Sequence, residues 1–366
     1  MKINRKPLLT LAIALGAMIL SACSGSASAA TSWPGVSVDP DRNLAYVAYT
    51  NFIYAVDIEN GTEKWRFPDK ADNKMTFFAP PTLTEDGQLL VGSYNHLLYS
   101  LDPETGKVNQ SNWPFQAGNR LIAAPLVTPE GIFVPSADEY LYALDSSGNM
   151  RWKFRAQQAL WATPVANGSA VYLPSMDHHL YALDAQNGNL LWKTDDLGGA
   201  LVGQPALSPD GVLFFGTFAS EMLAVDVKKG SILWRTPTSG WVWAGPALDE
   251  GTLYFGDLQG KFYALNAADG SEKWSRSPEV AGPDQAIPDR PVILDATVYF
   301  SSENGTLYAL DKTNGNPRWR TTFEGKLYAA PVAANGKLFV APVGTDALLV
   351  AVDTSGNQVW NFVPQK

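Results

Sequence analysis

The chain has 366 residues, one cysteine, and 36 acidic against 27 basic side chains, for a net charge of −9. That acidic balance excludes broad neutralisation of phosphate, so nucleic acid is not an expected partner, and it argues against a basic surface that grips anionic lipid. A single cysteine excludes an intrachain disulfide, so stability must come from packing, which a 46% hydrophobic chain of this length can supply.

Residues 1–22 read as a secretory signal. Lys2, Arg5 and Lys6 give a basic start, Leu8 to Leu20 an apolar run too short for a permanent membrane span, and Leu20-Ser21-Ala22-Cys23 the close. This tetrapeptide resembles the bacterial lipobox, whose processing leaves a diacylated cysteine at the new N-terminus. The resemblance implies lipidation at Cys23 and anchoring to an extracytoplasmic membrane face; the alternative is an ordinary signal cut near Ala27–Ala30. Residues 23–32, small and polar, then form a flexible tether. Ser24, rather than Asp, after Cys23 favours the outer membrane in a cell with two. Loss of the signal would leave a net charge of about −12.

Residues 33–366 carry eight copies of Ala-x-Asp-x-x-x-Gly-x-x-x-Trp. The first has Ala55, Asp57, Gly61 and Trp65. The frame repeats at Asp184 with Trp192, Asp226 with Trp234, Asn266 with Trp274, and Asp311 with Trp319. Asp145 with Trp152 and Asp353 with Trp360 are one residue shorter, and Asp102 with Gly106 lacks Trp in register, Trp113 standing three residues late. The Asp or Asn positions lie 39 to 45 residues apart, and a repeat of that length built from short strands predicts an all-β, eight-bladed propeller.

Blade four shows the four strand signals: WATPVAN from Trp161, then SAVYLPS, HHLYALD and NLLWKT. Small residues before the first strands (Ala123, Ala124, Ala162, Gly203, Ala244, Gly245, Ala329, Ala330) suit a crowded axis. The motif Asp is expected to bond the amides of its turn, Gly to supply a positive φ, and Trp to lie across the gap to the next sheet. These positions are therefore structural. The chain enters on a first strand and leaves on a fourth, so the ring closes by packing blade eight on blade one, a seam expected to open first.

The Ala-Asp-Gly-Trp pattern resembles the tryptophan-docking motif of the pyrroloquinoline-quinone (PQQ) enzyme repeat family, across residues 33–362. That family includes quinoprotein dehydrogenases, sensor domains and non-catalytic lipoproteins, among them scaffolds of outer-membrane β-barrel assembly. The lipobox, eight repeats and total length resemble the last group. This implies a non-catalytic, lipid-anchored, monomeric propeller that binds another envelope protein and needs no cofactor. The alternative is a small-ligand or quinone-dependent propeller using PQQ with calcium. Against it, the adjacent-cysteine disulfide and long insertions of many family dehydrogenases are missing, as is a calcium-loop spacing of oxygen ligands.

No nucleophile elbow, phosphate loop or C-x-x-C is present. His96, His178 and His179 fall in turns between second and third strands, where solvent exposure is expected and no metal set is visible. Three residues before the Pro of each first strand stand Phe78, Ile122, Trp161, Val202, Trp243, Pro288 and Tyr328, with Trp33 equivalent in blade one. Repeat symmetry puts them around one mouth of the channel, either as a plug or as a partner-binding rim to which Trp241 belongs. Blade seven has Asp289 and Arg290 where its siblings have small residues. The two either pair with each other or, with Gln204, Asn119 and Arg120, orient a ligand.

Overall fold

The period of two in the third strands decides how the sheets stack. In Leu180–Asp184, Leu180 and Ala182 pack into one apolar cluster, while Tyr181 and Leu183 pack into another on the opposite face. A strand buried on both faces needs a sheet on each side, and the chain supplies it eight times. The computed structural model describes residues 33–109, 112–277 and 284–365; the signal, Cys23 and the tether of residues 23–32 lie outside the described residues.

Eight four-stranded antiparallel sheets follow in chain order, each built from four consecutive strands except the last, which a short two-stranded extension interrupts. The sheets span residues 35–67, 82–116, 126–155, 165–193, 206–237, 247–276, 292–322 and 332–362, and are called blades one to eight below. In the extension, Lys326–Leu327 pairs with Pro342–Val343. The buried apolar residues fall into eight clusters, each shared by two neighbouring blades. The blade eight to blade one cluster, with Tyr54, Val56, Phe339 and Leu349, closes the ring.

The repeat motif explains the spacing between sheets. Asp57 Oδ1 accepts from the amides of Glu59 and Asn60, and Asp184, Asp226 and Asp311 do the same in their turns. Asn266, the one amide at this position, accepts from Ala268 alone. In the two shorter turns an Asn after Gly adds a side-chain bond, Asn149 to Asp145 and Asn357 to Asp353. The glycine that follows has a positive φ and lies flat under an indole: a Cβ on Gly188 would sit 2.5 Å from Trp152 Cε3.

The Trp comes from the preceding blade each time. Trp234 covers Gly270, Trp274 covers Gly315 and Trp319 covers Gly356, and Trp360 on Gly61 completes the circle. Indole N–H groups donate to carbonyls of the next blade: Trp192 to Val227 at 2.8 Å, Trp234 to Ala267 at 3.0 Å, Trp274 to Lys312 at 3.2 Å, Trp319 to Thr354 at 2.8 Å and Trp360 to Ile58 at 3.2 Å. The rings are not equally enclosed. Trp65, Trp113 and Trp274 are buried, whereas Trp152, Trp192, Trp234, Trp319 and Trp360 are half-buried, because the docking site lies at the outer rim of each interface. Blade two keeps the contact despite its late tryptophan, since Trp113 reaches Gly148.

At the axis, the expected crowding is present. A Cβ on Gly203 would meet the Gly245 amide, and one on Gly245 would run into the Gln204 carbonyl. The histidines depart from expectation: all three are half-buried. His179 Nδ1 lies 2.9 Å from the Thr194 carbonyl and His178 Nδ1 3.2 Å from Asp196, so the blade-four turn uses these two rings as hydrogen-bonding groups.

Candidate functional site

The mouth of the channel is made by loops that leave a fourth strand and enter the next first strand. A carboxylate in the neighbouring 2–3 turn fixes several of them. Asp257 accepts from the Gly240 amide at 3.0 Å and from the Tyr263 hydroxyl at 2.8 Å, while that hydroxyl accepts from the Ser239 amide. Burial and the Asp257 bond push the Tyr263 phenol up to about 12, so it stays a neutral donor. Asp177 with Tyr181 and Asp138 with Tyr142 repeat the device, holding the amides of Gln157 and Gly118.

On this footing the blade-six loop presents Trp241 and Trp243. Phe218, from the blade-five 2–3 loop, stacks on Trp241 at 4.9 Å between ring centroids and lies 5.4 Å from Trp243. Trp243 meets Trp33 edge-on at 5.7 Å, and Trp33 stacks on Tyr328 at 5.7 Å. Five rings from blades one, five, six and eight thus form one continuous array. Trp33 crosses the mouth to reach a blade that is not its neighbour, and it remains 41% exposed. Tyr328 is held from below: its hydroxyl donates to Glu303 at 3.0 Å, and Lys326 binds both Glu303 and Asp284. The Glu303 hydrogen bond raises the Lys326 ammonium pKa above its ordinary range.

The ring expected from repeat symmetry is therefore uneven. Trp33, Trp241, Trp243 and Tyr328 come together, whereas Phe78 stacks instead on Tyr94, at 4.2 Å, with Arg120 over the far ring. Val202 is buried, and Trp161 is half-buried with its indole N–H unpartnered. Phe218 was not among the expected residues, since it lies in a 2–3 loop outside the repeat position that located the others.

The expected pairing of Asp289 with Arg290 is corrected. They form no ion pair with each other, and they are not on the rim but in the channel wall, each satisfied by backbone. Asp289 accepts the amides of Arg290 and Ala330, both at 2.7 Å, while Arg290 donates to the carbonyls of Pro246 at 2.9 Å and Pro205 at 3.3 Å. Burial pushes the Asp289 carboxyl pKa up and the Arg290 guanidinium pKa down from their ordinary values. The two residues tie blades five to eight together at the axis. Among the described residues no group of three or more His, Cys, Asp or Glu side chains is placed to hold a metal ion.

The model of the family described as outer membrane protein assembly factor BamB matches residues 50–195, 130–239, 176–288 and 279–366. The chain belongs to the BamB family. Among solved structures, BamB from Moraxella catarrhalis is similar at 16% identity over 84% of this chain and 93% of that one, with a TM-score of 0.69. The computationally designed Ika8 protein is similar at 14% identity, over 91% of this chain and 96% of its own, also with a TM-score of 0.69. Likeness at these identities speaks for the propeller fold. No curated protein matches the chain.

Proposed function

We propose that this BamB-family propeller is a non-catalytic scaffold, held outside the cytoplasm by a lipid on Cys23, that binds another envelope protein through the aromatic mouth. The outer-membrane assembly role in the family's description is the nearest model for the partner. The observation that carries the reading is the five-ring array of Phe218, Trp241, Trp243, Trp33 and Tyr328, half-buried to exposed on loops braced by Asp257 and Glu303. Large rigid rings lose little entropy on binding, and Trp and Tyr dominate interface hot spots. Asp289 and Arg290, engaged with backbone, support no separate ligand-binding reading.

The test is crosslinking in living cells, followed by affinity capture of the lipidated protein and mass spectrometry. Trp33→Ala with Trp243→Ala should reduce capture of one envelope protein by about 30-fold, as loss of a hot spot does, while far-UV circular dichroism stays unchanged. Capture that survives both substitutions in a folded protein would sink the proposal.

A further inference from the structure

The loops of the mouth can be superposed through their backbone bonds. In the loop entering blade six, the Val242 amide donates to the Thr217 carbonyl of blade five, and the Trp241 carbonyl accepts from the Leu258 amide of blade six. In the loop entering blade three, the Leu121 amide donates to the Ser93 carbonyl of blade two, and the Arg120 carbonyl accepts from the Ala137 amide of blade three. Arg120 therefore takes the position of Trp241, and Tyr94, next after Ser93, takes that of Phe218. The two pairs are built alike. Phe218 stacks on Trp241, and the Arg120 guanidinium lies over the Tyr94 ring, 5.1 Å from its centroid. At the same position in blades four and five, between the two pairs, stand only Ala159 and Ala200.

Arg120 is set apart by its lack of a counter-charge. Arg66, Arg155 and Lys326 also lie over aromatic rings, and each is paired with a glutamate: Glu63, Glu139 and Glu303. The Arg120 guanidinium makes no ion pair and no hydrogen bond among the described residues; its one contact is the Tyr94 ring. The carboxylates of the turn that faces it are already engaged, Asp138 by the Gly118 amide and the Tyr142 hydroxyl, and Glu139 by Arg155. The loop backbone is held from both neighbouring blades, and the ring beneath fixes the plane of the guanidinium. A half-buried, pre-oriented fork with its five N–H donors uncommitted matches a carboxylate in bidentate fashion.

We propose that Arg120 sets the specificity of the mouth: the partner segment seated there carries a carboxylate that pairs with Arg120, while an apolar or aromatic side chain of the same segment meets Trp33 and Trp243. This inference rests on the scaffold reading above and adds the chemistry of the partner. A carboxylate is the anion that an unmodified protein segment offers near neutral pH. The methyl groups of Ala159 and Ala200 line the rim between the two anchors. A partner without the acid leaves the guanidinium desolvated and unpaired, and is rejected on that account.

The test uses the lipidated full-length chain. Arg120→Ala should reduce the capture that depends on Trp33 and Trp243 by about tenfold or more. Arg120→Lys, which keeps the charge but not the fork, should recover part of it. In the Arg120→Lys complex a zero-length carbodiimide should couple the amine at position 120 to an Asp, Glu or C-terminal carboxylate of the captured protein, read by tandem mass spectrometry of the joined peptides. Capture unchanged by Arg120→Ala but lost with Trp33→Ala and Trp243→Ala overturns this inference and leaves the scaffold reading standing. Capture insensitive to all three substitutions removes both. If Arg120→Ala loses its native circular dichroism, the carbodiimide product decides alone: coupling only within the chain itself, or to no carboxylate of the captured protein, overturns the proposal.

Discussion

The two ends of each blade obey different rules. At one end the contact of Gly with Trp repeats eight times, behind Asp in seven turns and Asn266 in the other, and even the displaced Trp113 restores it on Gly148. At the other end an Asp–Tyr brace recurs under three loops, but the side chains the loops present differ: blade six has Trp241 and Trp243, blade eight Tyr328, blade five Phe218 and a buried Val202. Repetition marks what the ring needs in order to close. Departure from it marks where the ring can be addressed by something else.

The largest test of this contrast is removal of an indole from each end. Trp192→Ala empties the gap over Gly230 and strands the Val227 carbonyl, and should cost about 3–5 kcal/mol in denaturant unfolding. Trp360→Ala, on Gly61 at the seam, should cost a similar amount. Trp243→Ala should cost about 1 kcal/mol or less. Equal losses at both ends would erase the distinction.

A smaller effect is expected at the axis, where blade seven breaks the pattern for structural reasons. Arg290→Leu leaves the Pro205 and Pro246 carbonyls without their donor, a loss of about 2–3 kcal/mol. The pH dependence is also specific. The folded state holds the Asp289 proton more tightly than the unfolded chain does, so this group subtracts stability as pH rises from the ordinary carboxylate value through its raised one. Asp311, beside Arg318, and Asp353, bound by Asn357, are lowered and act in the opposite sense, their contribution disappearing as pH falls through their lowered values. Asp289→Asn should therefore show less decline in stability than the parent as pH rises above about 4, measured by urea titration at successive pH values.

The smallest change is expected at the outer edge. Lys228→Ala with Lys229→Ala should alter unfolding free energy by less than about 0.5 kcal/mol and leave capture through the mouth intact. A large loss of stability would make the lysines part of the ring's structure.

The fold was legible because its signals are local: Asp, Gly and Trp act within one turn and across one gap, and recur at a fixed interval. The mouth was half legible. Repeat position located Trp33, Trp243 and Tyr328, but their joining depends on Trp33 crossing the channel, and Phe218 enters from a different loop. Asp289 and Arg290 were recognised as unusual, yet their partners are backbone groups, which the identity of side chains does not reveal. The exposure of Leu190 and Leu191 was concealed by alternation, since the pair looks like strand core until a register shift leaves Leu191 as an extra residue at the outer edge.

Because every apolar cluster is shared by two neighbours, the ring has no centre of its own and no privileged starting point. The seam carries the same indole and the same kind of cluster as the other interfaces, and Arg66 donates across it to the Gln365 carbonyl. The covalent beginning of the propeller is thus an accident of the gene. A circularly permuted chain, cut in an outer turn and linked from residue 365 to residue 33 through a flexible spacer, encodes the same set of contacts between blades.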